Sequence, residues 1–323
     1  MNVKNIHVRR EEKQMTLTFC RIFNMIVLHG SFVKAAEALS MTPSAVSHAV
    51  ADAEAAVGFP LFNRTKKGIT LTENGKELYV SVLQMIQSED SLQQKIDQLN
   101  GLRQGTVGLG VFNSVCTNWM PEIFERFYSD HPAIQIHIYE GSYDDVIYWL
   151  KNGIVELGFL STTCTTELAV DGRYIDPLVC IVPQDFPNRQ PGVITLEEMQ
   201  DQRFILQREG SDADVQTLFR KYDFKYQTSC QVLDDLSIMT MIACKQGISI
   251  MPRLTAKGLD QQVKVLRIIP EEHRQIGLAA IDLRKLSPAA KELYACINHF
   301  MDEQMAMGDG AKRPVAIRDL SDI

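Results

Sequence analysis

The sequence predicts two domains of different fold class joined by a long helix: a small α-helical domain, followed by a larger α/β domain. Three observations support this. Residues 17–57 read as three short amphipathic helices, and residues 73–104 carry a heptad spacing of apolar side chains. After residue 105, strand-like and helix-like segments alternate. At 323 residues the chain is long enough for both domains.

The charged side chains are unevenly distributed along the chain. Residues 1–103 hold 12 Lys and Arg against 10 Asp and Glu, whereas the remaining residues hold 21 against 30. The net charge of −7 argues against a basic surface over the whole molecule, but it permits nucleic-acid binding by the N-terminal third. No segment approaches the ~18 apolar residues of a membrane span, and residues 1–14 lack the apolar core of a signal peptide. We therefore expect a cytoplasmic protein, with Met15 as an alternative start.

No motif for catalysis, metal binding or cofactor binding stands out. The seven cysteines have no CxxC spacing and several lie in apolar runs, so we expect buried free thiols. The segment GLGVFN at residues 108–113 lacks the third glycine of a dinucleotide-binding turn. The seven histidines are scattered, and no metalloprotease, P-loop or nucleophile-elbow motif occurs. The sequence therefore predicts neither an enzyme nor a cofactor.

The N-terminal domain begins with two helices separated by a tight turn. The first is predicted at residues 17–29, with Gly30 in the left-handed position past its end. Ser31 is placed to cap the second, in which Ala35 and Ala36 allow another helix to approach closely. A turn of three residues follows, and Pro43 then occupies the first position of a third helix, where its missing N–H costs nothing.

The third helix combines an apolar stripe with small polar side chains. The stripe consists of Val46, Val50, Ala53 and Val57. An Ala-rich helix, a short turn and this helix form a helix-turn-helix arrangement, in which the second helix enters the major groove of DNA with its N-terminus first. A basic turn at residues 64–67 suits phosphate contact, as in a winged helix. Taken alone, the Thr-Pro start would indicate only the beginning of a helix, and the basic turn would be better interpreted as a solvated turn. The candidate DNA-binding residues are Thr42, Pro43, Ser44, Ser47, His48, Arg64, Lys66 and Lys67.

The heptad spacing predicts a helix of about 30 residues, or about 45 Å. Glu89 interrupts the spacing where an apolar residue is expected. Such a narrow seam favours a partner helix, so we predict that this helix pairs two protomers; the alternative is packing on its own domain. Glu89 would weaken the seam or set its register. The seam consists of Leu78, Val82, Met85, Leu92, Ile96 and Leu99.

The α/β domain is predicted to contain largely parallel strands separated by helices, with one helix spanning residues 113–132 and a last helix at about residues 288–305. Polar residues follow several strand ends, where helix N-termini offer free N–H groups to an anion. The alternative for each is ordinary helix capping. The candidates for binding a small molecule are Asn113, Ser114, Thr117, Ser161, Thr162, Gln207, Ser211 and Asp234.

Residues 30–75 resemble the DNA-binding region of LysR-type transcriptional regulators. The matching motifs are Gly30-Ser31-Phe32, Ala35-Ala36, Pro43 with Ser47, Leu61-Phe62-Asn63-Arg64, and Leu71-Thr72 with Gly75. The similarity continues in the segments MPEIFERFYSDHP and CKQGISIMP, and covers nearly the whole chain. Three positions depart from the family's pattern: His48 stands where Arg is common, Ala49 where Gln is common, and Ala53 where Leu is usual.

The resemblance implies a winged helix-turn-helix domain at 16–72, a dimerisation helix at 73–104, and an effector-binding domain at 105–306 that is similar to periplasmic binding proteins. Subdomain I would comprise 106–182 and 266–306, and subdomain II 183–265, with an extension at 1–15 and a tail at 307–323. The implied partners are an operator DNA duplex, a small-molecule effector, a second protomer in a dimer or tetramer, and RNA polymerase.

Two features qualify these implications. Asp212 and Asp214 lie where many relatives carry a basic residue, which weakens the case for a carboxylate effector. The paired cysteines of redox-sensing relatives are missing from the matching segment, which leaves Cys116 as the one candidate for a functional thiol. The rival interpretations are an exported solute-binding protein and an enzyme. The N-terminal unit and the expected lack of a signal peptide speak against the first, and no residue constellation supports the second.

Overall fold

A computed structural model describes residues 15–65, 68–99, 104–164, 168–187, 189–207, 213–232, 234–258 and 262–307. The chain divides into two compact units. The first comprises Met1–Ile96 with Asn152–Ile154, and the second comprises Asp97–Lys151 with Val155–Ile323. Within the described ranges, no helix is both long and apolar enough to cross a membrane.

The N-terminal unit contains three short helices, a hairpin and a long helix. The predicted caps are confirmed: the Ser31 side chain accepts a backbone N–H group, and Gly30 ends its helix with φ of 58°. The side chains of Thr16 and Thr42 also accept backbone N–H groups, and Gly58 ends its helix with φ of 84°. The elements are α1 (Leu17–His29), α2 (Phe32–Ala38), α3 (Pro43–Val57), the antiparallel pair β1 (Phe62–Thr65) and β2 (Gly68–Leu71), and α4 (Glu73–Leu99).

The apolar stripe of α3 packs into the core of this unit, as predicted. Val46 and Val50 are buried against α1 and the segment before the hairpin, in one cluster with Phe23 and Leu61. The backbone just before the hairpin approaches the first turn of α4 closely. A Cβ atom on Gly75 would lie 2.2 Å from the carbonyl oxygen of Leu61, so glycine is required for that approach.

Helix α4 uses its heptad positions in two different ways. Val82 is buried, and Leu78 packs against the core of its own unit. Further along, Leu92, Ile96 and Leu99 are 62%, 42% and 77% exposed. The proximal half of the seam therefore follows the alternative of packing on its own domain, whereas the distal half presents apolar side chains to solvent.

The interruption at Glu89 has a contact within the same unit. Its carboxylate accepts hydrogen bonds from Nε and Nη2 of Arg21 on α1, at 3.1 and 2.9 Å. Arg21 also lies 4.0 Å from Asp90. Glu89 is thus occupied in fixing α4 to α1, which explains a charged residue at an apolar heptad position.

The C-terminal unit alternates strands and helices, as predicted. The long helix expected at residues 113–132 is instead two helices that meet at buried Trp119. Pro121, two residues further on, has no backbone N–H to donate to the preceding helical turn. The elements are β3 (Gly105–Val111), α5 (Asn113–Asn118), α6 (Met120–Asp130), β4 (Ile134–Glu140), α7 (Tyr143–Lys151), β5 (Leu157–Ser161), β6 (Val170–Pro183), β7 (Val193–Thr195), α8 (Leu196–Met199), β8 (Arg203–Gln207), α9 (Ala213–Lys221), β9 (Gln227–Val232), α10 (Asp235–Ala243), β10 (Ser249–Pro252), α11 (Arg253–Ala256), β11 (Val263–Ile269), β12 (His273–Ala279) and α12 (Pro288–Ala306).

The sheet is mixed rather than largely parallel. Its order is β4-β3-β5-β12-β6-β11-β7, with β10 also paired to β6. The pairs of β3 with β4 and β5 are parallel, whereas β12 and β11 run antiparallel to β6. The prediction of largely parallel strands was wrong because β12 inserts between β5 and β6 and runs antiparallel to both, and the alternation of strands and helices along the chain does not determine such long-range pairing.

Strand β6 passes from one half of this unit to the other. Residues 170–177 pair with β12, and residues 178–183 pair with β10 and β11. The change therefore occurs at Pro177–Leu178, five residues before the subdomain boundary expected at 182, and β11 belongs with the second half. The strand ends of both halves meet at one cleft, which positions the site described next.

Candidate functional site

The N-terminus of α3 presents the predicted polar residues to solvent. Thr42, Ser44 and His48 are exposed, and Ser47 is half-buried. The Thr42 hydroxyl caps the helix by accepting the N–H of Ala45 at 3.2 Å, and it lies 3.1 Å from the Ser44 hydroxyl. Since Val46 and Val50 anchor the opposite face, the polar face of α3 is both rigidly held and accessible. Pro43, at the first position of the helix, is exposed beside them.

The hairpin beside α2 carries the first of the predicted basic residues. Arg64 is exposed on β1, with its guanidinium carbon 4.7 Å from the ring centroid of Phe32. This cation–π contact holds the side chain close to the start of α2. Lys66 and Lys67 lie outside the described residues.

A cavity of about 530 Å³ lies in the C-terminal unit, where strand ends from both halves meet. Its walls come from the β3–α5 and β4–α7 connections, the end of β8, the start of α10, and residues of β10, α11 and β12. Four predicted residues line it: Asn113, Ser114, Gln207 and Asp234. A volume of this size is ordinary for a small-molecule site.

Three other predicted residues of this domain lie outside the cavity lining. Thr117 is exposed on α5. Ser161 is fully buried and donates its hydroxyl to Asp214 Oδ1 at 2.8 Å. Thr162 is exposed, and its backbone N–H donates to the carbonyl oxygen of Gln275 at 2.9 Å. Ser211 falls outside the described residues.

A buried guanidinium that sequence reasoning missed forms one wall of the cavity. Arg274 on β12 is 4% exposed and donates from Nε to Asp176 Oδ2 at 2.9 Å. Its Nη1 donates to the Tyr143 hydroxyl and its Nη2 to the Ser114 hydroxyl, each at 2.9 Å. The guanidinium carbon also lies 5.0 Å from the ring centroid of Phe112. Every terminal nitrogen of Arg274 therefore has a protein partner.

The hydrogen bonds continue from Arg274 into the second half of the unit. Tyr143 donates its hydroxyl to Asp214 Oδ2 at 2.9 Å, and Asp214 also accepts from Ser161 and Thr163. Asp176 accepts the backbone N–H of Leu254 at 3.0 Å. Burial lowers the pKa of Arg274, but Tyr143, Asp176 and Asp214 outweigh burial and the net pKa is raised, so the guanidinium stays charged.

Carboxylates from both halves of the unit surround the cavity. Asp235 is buried and accepts from the Gln207 amide, and its burial raises its pKa. Asp234 caps α10 by accepting the Ser237 hydroxyl and N–H, which lowers its pKa. Asp145 and Glu140 lie on the opposite half, at the start of α7 and the end of β4.

The surroundings of Cys116, on the helix that follows the first cleft loop, do not favour the thiolate form. Cys116 lies on α5, and its pKa is raised by burial and by the negative charge and hydrogen bond of Glu140. A reactive or redox-sensing cysteine needs a lowered pKa, because the thiolate is the reactive form.

Of the cavity residues that were not predicted, some carry a local sequence signal and others do not. Asp235 follows the same strand end as Asp234, so the strand-end rule applied one residue further would have included it. Tyr143 begins α7 shortly after the end of β4, so the same rule would have included it. Arg274 gave no such signal, since it reaches the cavity only after β12 has paired between β5 and β6. Its role depends on long-range sheet pairing, which no local pattern in the sequence reveals.

Replacement of Ser114 tests whether this hydroxyl positions Arg274. In Ser114→Ala the Nη2 group loses one of its two acceptors and keeps Asp176, so we expect a loss of about 1–3 kcal/mol in unfolding free energy, measured by denaturant titration. A metabolite that stabilises the wild-type protein in a thermal-shift panel should stabilise this variant less. Ser161→Ala is the matched control, because that buried hydroxyl lies outside the lining; an equal loss of ligand-induced stabilisation in both variants would contradict the positioning role.

Both parts of the chain match family models. Residues 17–76 match the model described as a bacterial regulatory helix-turn-helix protein of the lysR family, and residues 100–302 match the LysR substrate binding domain. The chain is similar to the uncharacterised HTH-type transcriptional regulator YybE of Bacillus subtilis strain 168, with 30% identity over 83% of this chain and 94% of that protein.

Two solved structures share the fold. The crystal structure of full-length CbnR complexed with its target DNA has a TM-score of 0.66 and 15% identity, covering 88% of this chain and 99% of that chain. The effector binding domain of QuiR in complex with shikimate has a TM-score of 0.57 and 24% identity, covering 62% of this chain and 98% of that one.

Proposed function

The chain belongs to the LysR family of bacterial transcriptional regulators, and on that premise we propose that α3 with the β1–β2 hairpin binds an operator and that the cavity of the C-terminal unit binds the effector. The observation that carries the proposal is the coexistence, in one chain, of an accessible polar α3 N-terminus and a cavity of about 530 Å³. This combination favours a ligand-controlled regulator over a solute-binding protein, which has no use for the N-terminal unit.

The DNA contacts are assigned by their chemistry. The small hydroxyl side chains of Ser44 and Ser47 allow the backbone of α3 to approach base edges closely, and His48 extends further into the groove. Arg64 and the two lysines that follow it would contact phosphates beside the groove. The cavity residues Asn113, Ser114, Gln207 and Asp234 would contact the effector directly, while Thr117, Ser161, Thr162 and Ser211 have no assigned contact with it.

The remaining assignments follow from the regulatory role. We place the protein in the cytoplasm, where operator DNA is found, with RNA polymerase as a further partner and with regulation rather than catalysis as its activity. The exposed distal face of α4 would pair two protomers and so present two copies of α3 to the two halves of an operator.

Substitution in α3 tests the proposed base readout. We expect Ser47→Ala combined with His48→Ala to weaken operator binding by about 30-fold or more, because each of the two lost base contacts costs about 1–3 kcal/mol, while binding to unrelated DNA changes little. The measurement is a gel-shift or fluorescence-anisotropy titration at fixed salt, using an operator selected from random DNA. The control is Arg64→Gln, which should weaken both kinds of DNA binding alike, because phosphate contacts carry no base information. Equal losses on both DNAs for the α3 variant would refute direct readout.

A metabolite screen tests the effector role separately from DNA binding. A ligand that binds only the native C-terminal unit raises the melting temperature by mass action. We expect at least one small metabolite to do so in the full-length protein and to change its operator affinity. A stabilising metabolite that leaves operator affinity unchanged would support the solute-binding interpretation instead.

A further inference from the structure

We propose that the effector is an organic cation with at least two ammonium or guanidinium groups; this rests on the effector-binding role assigned above to the cavity. The cavity is the binding site, and the charges of the side chains that line it indicate the charge of the ligand. Among the described residues of that lining there is one cationic side chain, Arg274, against four carboxylates, namely Glu140, Asp145, Asp234 and Asp235.

Arg274 has no strong interaction left for an effector carboxylate. Its charge is matched by Asp176, at 2.8 Å from Nη2 and 2.9 Å from Nε, and both groups are almost completely buried. Its Nη1 and Nη2 also donate to Tyr143 and Ser114. A carboxylate that entered the cavity would have to displace these partners, and it would leave Asp176 buried without its counter-charge.

The N-termini of α7 and α10 at the cavity already hold the chain's own carboxylates, whereas the six-residue α5, which also begins there, has no side-chain cap. At α7, Asp145 accepts the N–H of Ser142 at 2.8 Å, and at α10, Asp234 accepts the N–H of Ser237 at 2.8 Å. Both helices have nine residues. These are the positions at which an anionic ligand would gain from free N–H groups and the helix dipole. With a carboxylate in place, each terminus instead repels an anion and attracts a cation.

The distribution of the carboxylates favours an extended organic cation over a metal ion. Glu140 and Asp145 lie on the half that contains β4 and α7, whereas Asp234 and Asp235 lie at the start of α10 in the other half. Within the described ranges, no three His, Cys, Asp or Glu side chains converge on a point that could hold a metal. Two separated acidic pairs are matched by a molecule with a positive group at each end.

Asp235 supplies the most desolvated of these charges. It is 8% exposed, and its hydrogen-bonding partner is the neutral amide of Gln207. The positive charge of Arg274 also acts on Asp235, but Arg274 is hydrogen-bonded to Asp176, so an ammonium or guanidinium group in the cavity would give Asp235 a counter-ion of its own. Cation binding would therefore draw α10 towards the opposite acidic pair, which gives the ligand a means of holding the two halves together.

The charge of the ligand can be tested on the full-length protein with defined probes at 0.15 M salt, on the order of physiological ionic strength, which suppresses weak surface binding. The cationic probes are 1,4-diaminobutane, 4-guanidinobutylamine and spermidine; the anionic probes are shikimate and succinate; Mg²⁺ and Ca²⁺ serve as metal probes. We expect at least one of the amines to raise the melting temperature and to give a 1:1 isotherm by calorimetry, and the anions and metal ions to have no effect.

Variants then locate the binding. Asp235→Asn should weaken binding of the effective amine by about 10- to 100-fold, because a charge-assisted hydrogen bond is replaced by a neutral one. Asp223→Asn is the matched control: this exposed carboxylate pairs with Lys225 outside the cavity, so amine affinity should stay unchanged. Should Asp235→Asn unfold the protein, Asp234→Asn replaces it, since Asn also caps helices well.

Three outcomes would overturn the proposal: binding of an anion but no amine, stabilisation by Mg²⁺ or Ca²⁺ equal to that by amines, or no shift with any of the three amines. The first would leave the effector-binding role intact and reject only the charge of the ligand. Failure of the effector role itself would appear in the wider metabolite screen, as stabilisation without any change in operator affinity.

Discussion

Arg274→Met is expected to destabilise the C-terminal unit by about 3–5 kcal/mol, because it leaves Asp176 as a buried charge without its counter-ion. Asp176 is fully buried, and in the variant the backbone N–H of Leu254 would remain as its hydrogen-bonding partner. Tyr143 and Ser114 would also lose their contacts with the guanidinium. The measurement is the free energy of unfolding by denaturant, followed by tryptophan fluorescence, since Trp119 lies buried in this unit.

Two controls separate the buried pair from a general effect of removing a charge. Arg284→Met removes a guanidinium that pairs with Asp282 at the surface, and it should leave the unfolding midpoint unchanged. Asp176→Asn combined with Arg274→Met removes the unpaired charge and should recover a substantial part of the stability lost by the single variant. If the effects of the two single substitutions simply add, the pair is not coupled and the argument from desolvation fails.

The pairing of Arg274 with Asp176 could not be predicted from the sequence. Arg274 and Asp176 are separated by 98 positions, and they meet because β12 pairs antiparallel with β6 in the register that places Arg274 opposite Asp176. Local reasoning could predict that both segments were strands. It could not predict their register, which depends on burial of side chains contributed by the rest of the sheet.

The helix-turn-helix was predictable because its signals are local. The caps at Thr16, Ser31 and Thr42, and the left-handed Gly30 and Gly58, each act within a few residues along the chain. Half of the predicted effector-binding residues do line the cavity, because strand ends and helix starts meet at one edge of the sheet and polar residues there converge. Ser161 obeyed the same rule but its side chain points into the interior, where Asp214 accepts its hydroxyl.

The heptad seam illustrates the limit of periodicity as a predictor of assembly. The spacing correctly identified a helix, but the same spacing serves both packing on the home unit and pairing with another chain. Leu78 and Val82 pack on the home unit, and Glu89 is committed to Arg21. The seam side chains available for a partner are therefore Met85, which is 41% exposed, and the distal Leu92, Ile96 and Leu99.

Leu92→Glu combined with Ile96→Glu is expected to abolish protomer pairing while leaving each protomer folded. Both side chains are exposed within the protomer, so their replacement removes no contact from the core of either unit. In a paired helix the same positions would bring four carboxylates together in an apolar seam, which disfavours association through repulsion and desolvation. Sedimentation velocity should show a dimer or tetramer for the wild-type chain and a monomer for the variant.

Loss of pairing should also weaken operator binding by about 10²–10⁴-fold, because the second copy of α3 would no longer be held at a high effective concentration beside the first. Gln98→Glu is the control, since it adds a carboxylate to α4 at an exposed position about 200° around the helix from Ile96. This variant should keep both the assembly state and the operator affinity of the wild-type protein. A Leu92→Glu, Ile96→Glu variant that sediments like the wild type would exclude the distal face of α4 as the dimer contact, and dimerisation would then have to be sought on another surface of the chain.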